Sequence, residues 1–143
     1  MKNQNKLIKA FKAPEGSVKI YENGYLESFI NEGALIDAQF LNDGKKQLLA
    51  TEIQKFYVLT ESIGSYKITK PARELCASKE FSLSLGAVAV VLTHVETRLA
   101  FELFLKIDKP AFPIKAFMMR EEAVEWLNIM INFDANKLHI KSA

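Results

Sequence analysis

Apolar and polar positions along the chain change period several times, and each change marks an element. The longest apolar run of strand type, Ala87 to Leu92, follows Gly86 and ends at Thr93-His94. A strand covered on both faces reads as such a continuous run, whereas a half-exposed strand alternates. From His94 the period lengthens to three and four residues, which predicts a helix to about residue 107. Arg98, Glu102 and Lys106 form one narrow charged ridge on it, and apolar residues occupy nearly all the rest. Ala100, Phe104 and Ile107 are expected to face the sheet, while Leu99, Phe101, Leu103 and Leu105 flank them over an arc wider than one sheet face needs. Pro110 and Pro113 break the pattern, Ile114–Met119 returns as a strand, and Arg120-Glu121-Glu122 opens a last helix. Its core stripe is Ala123, Val124, Leu127, Met130 and Ile131, with Trp126 at the edge as a packing residue. Strand, helix, strand and helix in this order predict a buried parallel sheet.

Upstream, Ser17–Glu22 and Tyr25–Ile30 are β-rich runs joined by Asn23-Gly24. Both turn positions of a type I′ hairpin need positive φ, and Asn-Gly tolerates it, so an antiparallel pair is expected to start the sheet. Asp37 is placed to cap a helix with apolar positions Ala38, Leu41, Leu48, Leu49, Ile53 and Phe56. Gly44 sits awkwardly inside that pattern, so the helix either starts at Asp43 or is broken there. Tyr57–Ser62 reads as the next strand, and Thr69 with Pro71 as the start of a helix running to about Ser84, its stripe interrupted at Lys79 and Ser82. The expected architecture is a mixed five-stranded α/β sheet: an antiparallel hairpin first, then alternating strands and helices packed on the sheet. The domain is placed at residues 17–131. Residues 1–16 are set apart as a lysine-dotted segment in which Leu7, Ile8 and Phe11 form at most one helical turn, and residues 132–143 as a polar tail.

Composition narrows the function classes. With 49% hydrophobic and 25% charged residues, 143 residues suit one soluble domain. A formal net charge of +2, from interspersed bases and acids, gives no extended basic surface for nucleic acid. One cysteine excludes an internal disulfide framework, and no apolar run reaches the roughly 18 residues of a spanning helix. A cytoplasmic protein without stable membrane insertion is the expectation.

Chemistry-bearing motifs are absent from the sequence. Cys76, His94 and His139 cannot form a zinc site by themselves. His94 and Glu96 stand in H-x-E order, but the P-C-x-x-C that a zinc deaminase requires is missing. No nucleophile elbow or phosphate-binding glycine loop occurs, and Cys76 lies on an apolar helical stripe as a structural thiol would. Glu121 and Glu122 are consecutive and read as helix-start charges. A non-enzymatic protein with no cofactor is therefore expected. Open α/β sheets place ligands at the carboxyl ends of their strands, which nominates Ser62, Ser65, Tyr66 and Thr69, then Thr93 and His94, then Arg120 as ligand or switch residues. A hydroxyl at a helix start is otherwise a satisfied cap, and that is the expectation for Thr69 and Thr93.

Several stretches also carry a likeness: Ala72-Arg73-Glu74-Leu75, Ala87–Val91, Thr97-Arg98-Leu99, Lys109-Pro110 with Pro113, and Ala116-Phe117 followed by Glu121–Leu127. In these, over residues 17–131, the chain resembles the STAS and SpoIIAA-like superfamily, in particular a bacterial group of uncharacterised domains within it. The resemblance implies a mixed sheet with packed helices and a role in regulatory protein association or small-ligand binding. Anti-sigma-factor antagonists of the superfamily switch partners by phosphorylation of a serine after the third strand. Here that region reads Ile68-Thr69-Lys70-Pro71, without the Asp-Ser or glycine of their motif, and Thr69 is the positional match. Lipid-binding CRAL-TRIO domains, related in shape, hold apolar ligands. The reading favoured at this level is a homodimer or a partner-binding regulatory domain, with Leu99, Phe101 and Leu105 at the interface; the alternative is a module that binds a lipid or nucleotide.

Overall fold

A computed structural model describes residues 5–142, with side chains through residue 137. Residues 1–4, which belong to the N-terminal segment, and the His139 side chain lie outside the described set. The strands are β1 (Leu7–Ala13), β2 (Gly16–Tyr21), β3 (Tyr25–Ile30), β4 (Leu35–Ile36), β5 (Phe56–Ser62), β6 (Lys67–Ile68), β7 (Leu85–Val91) and β8 (Ile114–Phe117). The helices are α1 (Ala38–Leu49), α2 (Lys70–Ala77), α3 (Lys79–Ser82), α4 (Val95–Asp108) and α5 (Arg120–Ser142). The main sheet has the order β1-β2-β3-β5-β7-β8; its first two pairings are antiparallel and the rest parallel. β4 and β6 form a separate short parallel ladder.

The expected mixed α/β sheet is present with one strand more than the sequence pattern implies. β1 occupies a stretch whose pattern suggests at most a helical turn, because its lysines mask a period of two. Lys9, Phe11 and Ala13 are half-buried on one side, while Ala10 and Lys12 are exposed on the other. Lys9 also donates from Nζ to the Gln47 carbonyl of α1 at 3.5 Å. The hairpin between β2 and β3 closes by a three-residue loop rather than a type I′ turn. Gly24 takes φ +93°, whereas Asn23 keeps negative φ and accepts the Tyr25 N–H on Oδ1 at 2.9 Å. Asparagine works here through its side chain, and glycine supplies the left-handed residue.

Helix α1 runs unbroken through Gly44, capped by Asp37 Oδ1 accepting the Phe40 N–H at 2.8 Å. It stops at Leu49, so Ile53 lies beyond it and Phe56 belongs to β5. The helix starting after Thr69 divides at Ser78, whose hydroxyl accepts the Phe81 N–H and caps α3. Helix α5 continues through the stretch read as a tail. Asn132, Asp134 and Asn136 are poor helix formers, but Tyr57 Oη donates to Asp134 Oδ2 at 2.7 Å and ties that turn to the sheet.

The two faces of the sheet are covered very differently. On one, α5 lays Ala123 and Leu127, both fully buried, against Tyr57, Leu59, Ala87, Ala89 and Val91, and Trp126 packs 5.7 Å from the Phe117 ring. On the other stand α1, α2 and α4, and these barely touch the strands. α1 has no buried residue, α2 buries only Ala72 and α4 only Thr97. A second small core of Ile20, Leu26 and Phe56 closes this side beneath Leu48 and Ile53. Among the described residues no helix is long and apolar enough to cross a membrane.

Candidate functional site

Between the sheet and this lifted helical layer lies a chamber of about 1340 Å³. Its floor is the alternate face of the strands, with Val18, Leu26, Val58, Val88 and Val90 pointing into it. Its roof includes Phe40 from α1, Cys76 from α2 and Ala100, Phe101 and Phe104 from α4. Strand alternation builds the floor: Ala87, Ala89 and Val91 of β7 feed the tight core under α5, and Val88 and Val90 face the chamber. The apolar excess of α4 is thereby divided. Phe101 and Phe104, with ring centroids 6.4 Å apart, face the chamber, whereas Leu99, 57% exposed, faces outward. Leu105 is half-buried and outside the chamber wall. Val95, Leu99, Leu103 and Ile107 form an exposed stripe at four-residue spacing, whose lower half reaches the chamber rim.

Polar groups enter the chamber at a few places. Ser28 and Thr60 are register partners on β3 and β5 and sit side by side on the floor. Tyr66 reaches the wall from the loop between β5 and β6, and burial, with a smaller contribution from Cys76, pushes its phenol up to about 12. Burial likewise raises the Cys76 thiol to about 11, with Asp108 adding to it, so this thiol is held in its protonated form. Arg73 Nη1 donates to Asp108 Oδ2 at 3.0 Å and joins α2 to α4.

The residues nominated from sequence do not form one site. Ser65 and Tyr66 line the chamber, and the Ser65 carbonyl also accepts the Gly33 N–H at 2.9 Å. Ser62 donates to the Gly64 carbonyl at 2.8 Å. Thr69 caps α2, its hydroxyl accepting the Ala72 N–H at 3.2 Å. Thr93 is exposed before α4, where His94 is the capping residue without a side-chain cap, and His94 Nε2 lies 3.2 Å from the Ile63 carbonyl. Arg120 sits on the opposite face of the sheet. Its Nη1 donates to Glu61 Oε1 at 2.7 Å and its Nη2 to Glu27 Oε2, whose carboxylate also accepts from Tyr25 Oη at 2.8 Å. The two carboxylates hold Arg120 as a clamp between α5, β3 and β5. Among the described residues no three His, Cys, Asp or Glu side chains gather as metal ligands. Sequence reasoning missed the floor residues Ser28 and Thr60; a hydroxyl at an inward strand position was the available signal.

Comparison with known proteins agrees with this architecture. No curated protein matches the chain. A solved structure of an uncharacterised protein of the DUF3478 family from Shewanella loihica PV-4, with a SpoIIAA-like fold, is similar at a TM-score of 0.51 and 12% identity. The match covers 89% of this chain and 98% of that one. At that identity the likeness shows the fold alone, and the fold is SpoIIAA-like. The family model described as a domain of unknown function, DUF7793, matches residues 22–131, and the chain belongs to that family.

Proposed function

We propose that the protein is a non-enzymatic binding module that takes a small apolar or amphipathic ligand between its sheet and the α1–α2–α4 layer. The chamber carries this reading. Ordinary small-molecule sites hold about 300–1,000 Å³, and this one reaches about 1340 Å³. The space is partly open to solvent, and its largely apolar lining favours an apolar occupant over water. The test is titration with N-phenyl-1-naphthylamine, a neutral dye that brightens in apolar surroundings. Saturable one-to-one binding is expected, weakened at least tenfold by Val88→Trp or Val58→Phe, which place rings on the floor, and unchanged by Leu99→Glu. Absence of saturable binding, or binding indifferent to both floor variants, would refute it.

A second reading is association, as a homodimer or with a regulatory protein partner. The exposed stripe Val95, Leu99, Leu103 and Ile107 supports it, since its outer half touches nothing in the chamber. Sedimentation then gives a dimer that Leu99→Glu converts to a folded monomer; a wild-type monomer at high micromolar concentration contradicts self-association.

A further inference from the structure

We infer that the chamber selects a neutral amphiphile, ending in a hydroxyl, ester or carbonyl, over a carboxylate or phosphate with the same apolar part. This rests on the ligand-binding reading above. The wall carries four basic and four acidic residues, so its net formal charge is zero. The basic groups nearest the interior are already matched. Arg73 is paired with Asp108, whose side chain is only 8% exposed, and Lys45 with Glu80 at 2.6 Å. Lys12 and Lys67 line the chamber from exposed positions, and Glu15, Asp43 and Glu96 are among the lining residues too. Asp37 is occupied in capping α1.

An anionic head group brought inside would share one guanidinium with Asp108, leaving a buried negative charge without a cation of its own. A charge left so is disfavoured, and the cost is avoided if the head group is neutral. The uncharged donors and acceptors needed for a neutral head are present. Ser28 and Thr60 lie adjacent on the floor, Tyr66 contributes a protonated phenol, and each hydroxyl can both donate and accept.

Displacement of bound N-phenyl-1-naphthylamine by dodecanol, dodecanoate and dodecyl phosphate at pH 8 tests the inference. Dodecanol should displace the dye at a concentration at least tenfold lower than either anion. Because alcohols enter any apolar phase more readily, two variants make the test specific to this wall. Asp108→Asn frees Arg73 and should improve dodecanoate about tenfold relative to dodecanol. Ser28→Ala with Thr60→Val, which removes hydroxyls without enlarging the chamber much, should weaken dodecanol severalfold relative to dodecanoate once each is referred to the dye affinity of the same variant. Equal or better displacement by an anion, or no change of the ratio in both variants, overturns the selection while leaving ligand binding intact. Failure of the dye itself to bind overturns the binding reading and this inference with it.

Discussion

Substituting Gly86 by alanine tests the tight half of the fold, against which the open half is defined. An added Cβ would lie 2.4 Å from Tyr57 Cε2 and 2.6 Å from its Cζ. The backbone itself tolerates alanine, since the glycines with positive φ are Gly24 and Gly33. The ring cannot step aside freely: Tyr57 is 6% exposed, packed with Ala87 and Leu127, and tethered through Oη to Asp134 at 2.7 Å. Overpacking costs about 1–3 kcal/mol, and loss of a hydrogen bond to a carboxylate about 1.5–3 kcal/mol when the ring is displaced. Reduced freedom of the unfolded chain returns about 0.4–1 kcal/mol. The net expectation is a loss of about 2–4 kcal/mol, or roughly 8–15 °C in Tm for a domain of this size. Urea unfolding followed by Trp126 fluorescence reads it directly, because Trp126 packs on the same core. Tyr57→Leu should relieve the clash, so the Gly86→Ala, Tyr57→Leu pair should be less destabilised than the sum of its parts by more than about 1 kcal/mol. A Gly86→Ala protein within about 0.5 kcal/mol of wild type would refute the packing argument.

Three further outcomes are expected. Cys76, raised from 9.0 to about 11 mainly by burial, keeps its proton in the folded state while the unfolded thiol ionises; stability is therefore full below pH 9 and falls between pH 9 and 11. Cys76→Ala should lessen that loss, most clearly between pH 9 and 10 before unfolded tyrosines ionise, and a wild-type thiol that reacts with iodoacetamide at pH 8 as fast as free cysteine would contradict the assignment. Gly44→Ala should stabilise by about 0.5–1 kcal/mol, because alanine suits a helix interior and its Cβ would meet nothing within 4 Å; a lower Tm would show that α1 is not helical there. Arg120→Met leaves Glu27 and Glu61 without their shared cation and should cost about 1–2 kcal/mol, discounted from the value for fully buried pairs because Arg120 is 41% exposed. Adding Glu61→Gln should recover part of that loss in thermal unfolding, and no recovery would count against the clamp.

Strand β7 was legible because both of its faces are apolar, one in the core under α5 and one on the chamber floor, so it appears as an unbroken apolar run. The caps were legible as well, since Asp37 and Thr69 bond the helix amides that their spacing implies. β1 was hidden because Lys9 and Lys12 sit in its alternation, and the aliphatic stem of a lysine can lie inward as an apolar residue does. The end of α5 was hidden because Asp134 weakens the helix locally and repays it through a distant tyrosine. The chamber could not be read at all from periodicity. Val58, Val88, Phe101 and Phe104 have the spacing of ordinary core residues, and whether two apolar faces touch or stand apart is set by how α2 and α4 are braced, partly through Arg73 and Asp108. Ser28 and Thr60 at inward positions were the local sign that this face is not simple core.

The most direct measurement is native mass spectrometry of the full chain, purified without detergent from the cells that make it, beside its Val88→Trp variant. The account predicts a non-covalent neutral adduct of roughly drug or single-chain lipid size on the wild type, and its loss from the variant. Bare protein in both spectra, with no naphthylamine binding by the wild type, would contradict the assignment of the chamber as a ligand site.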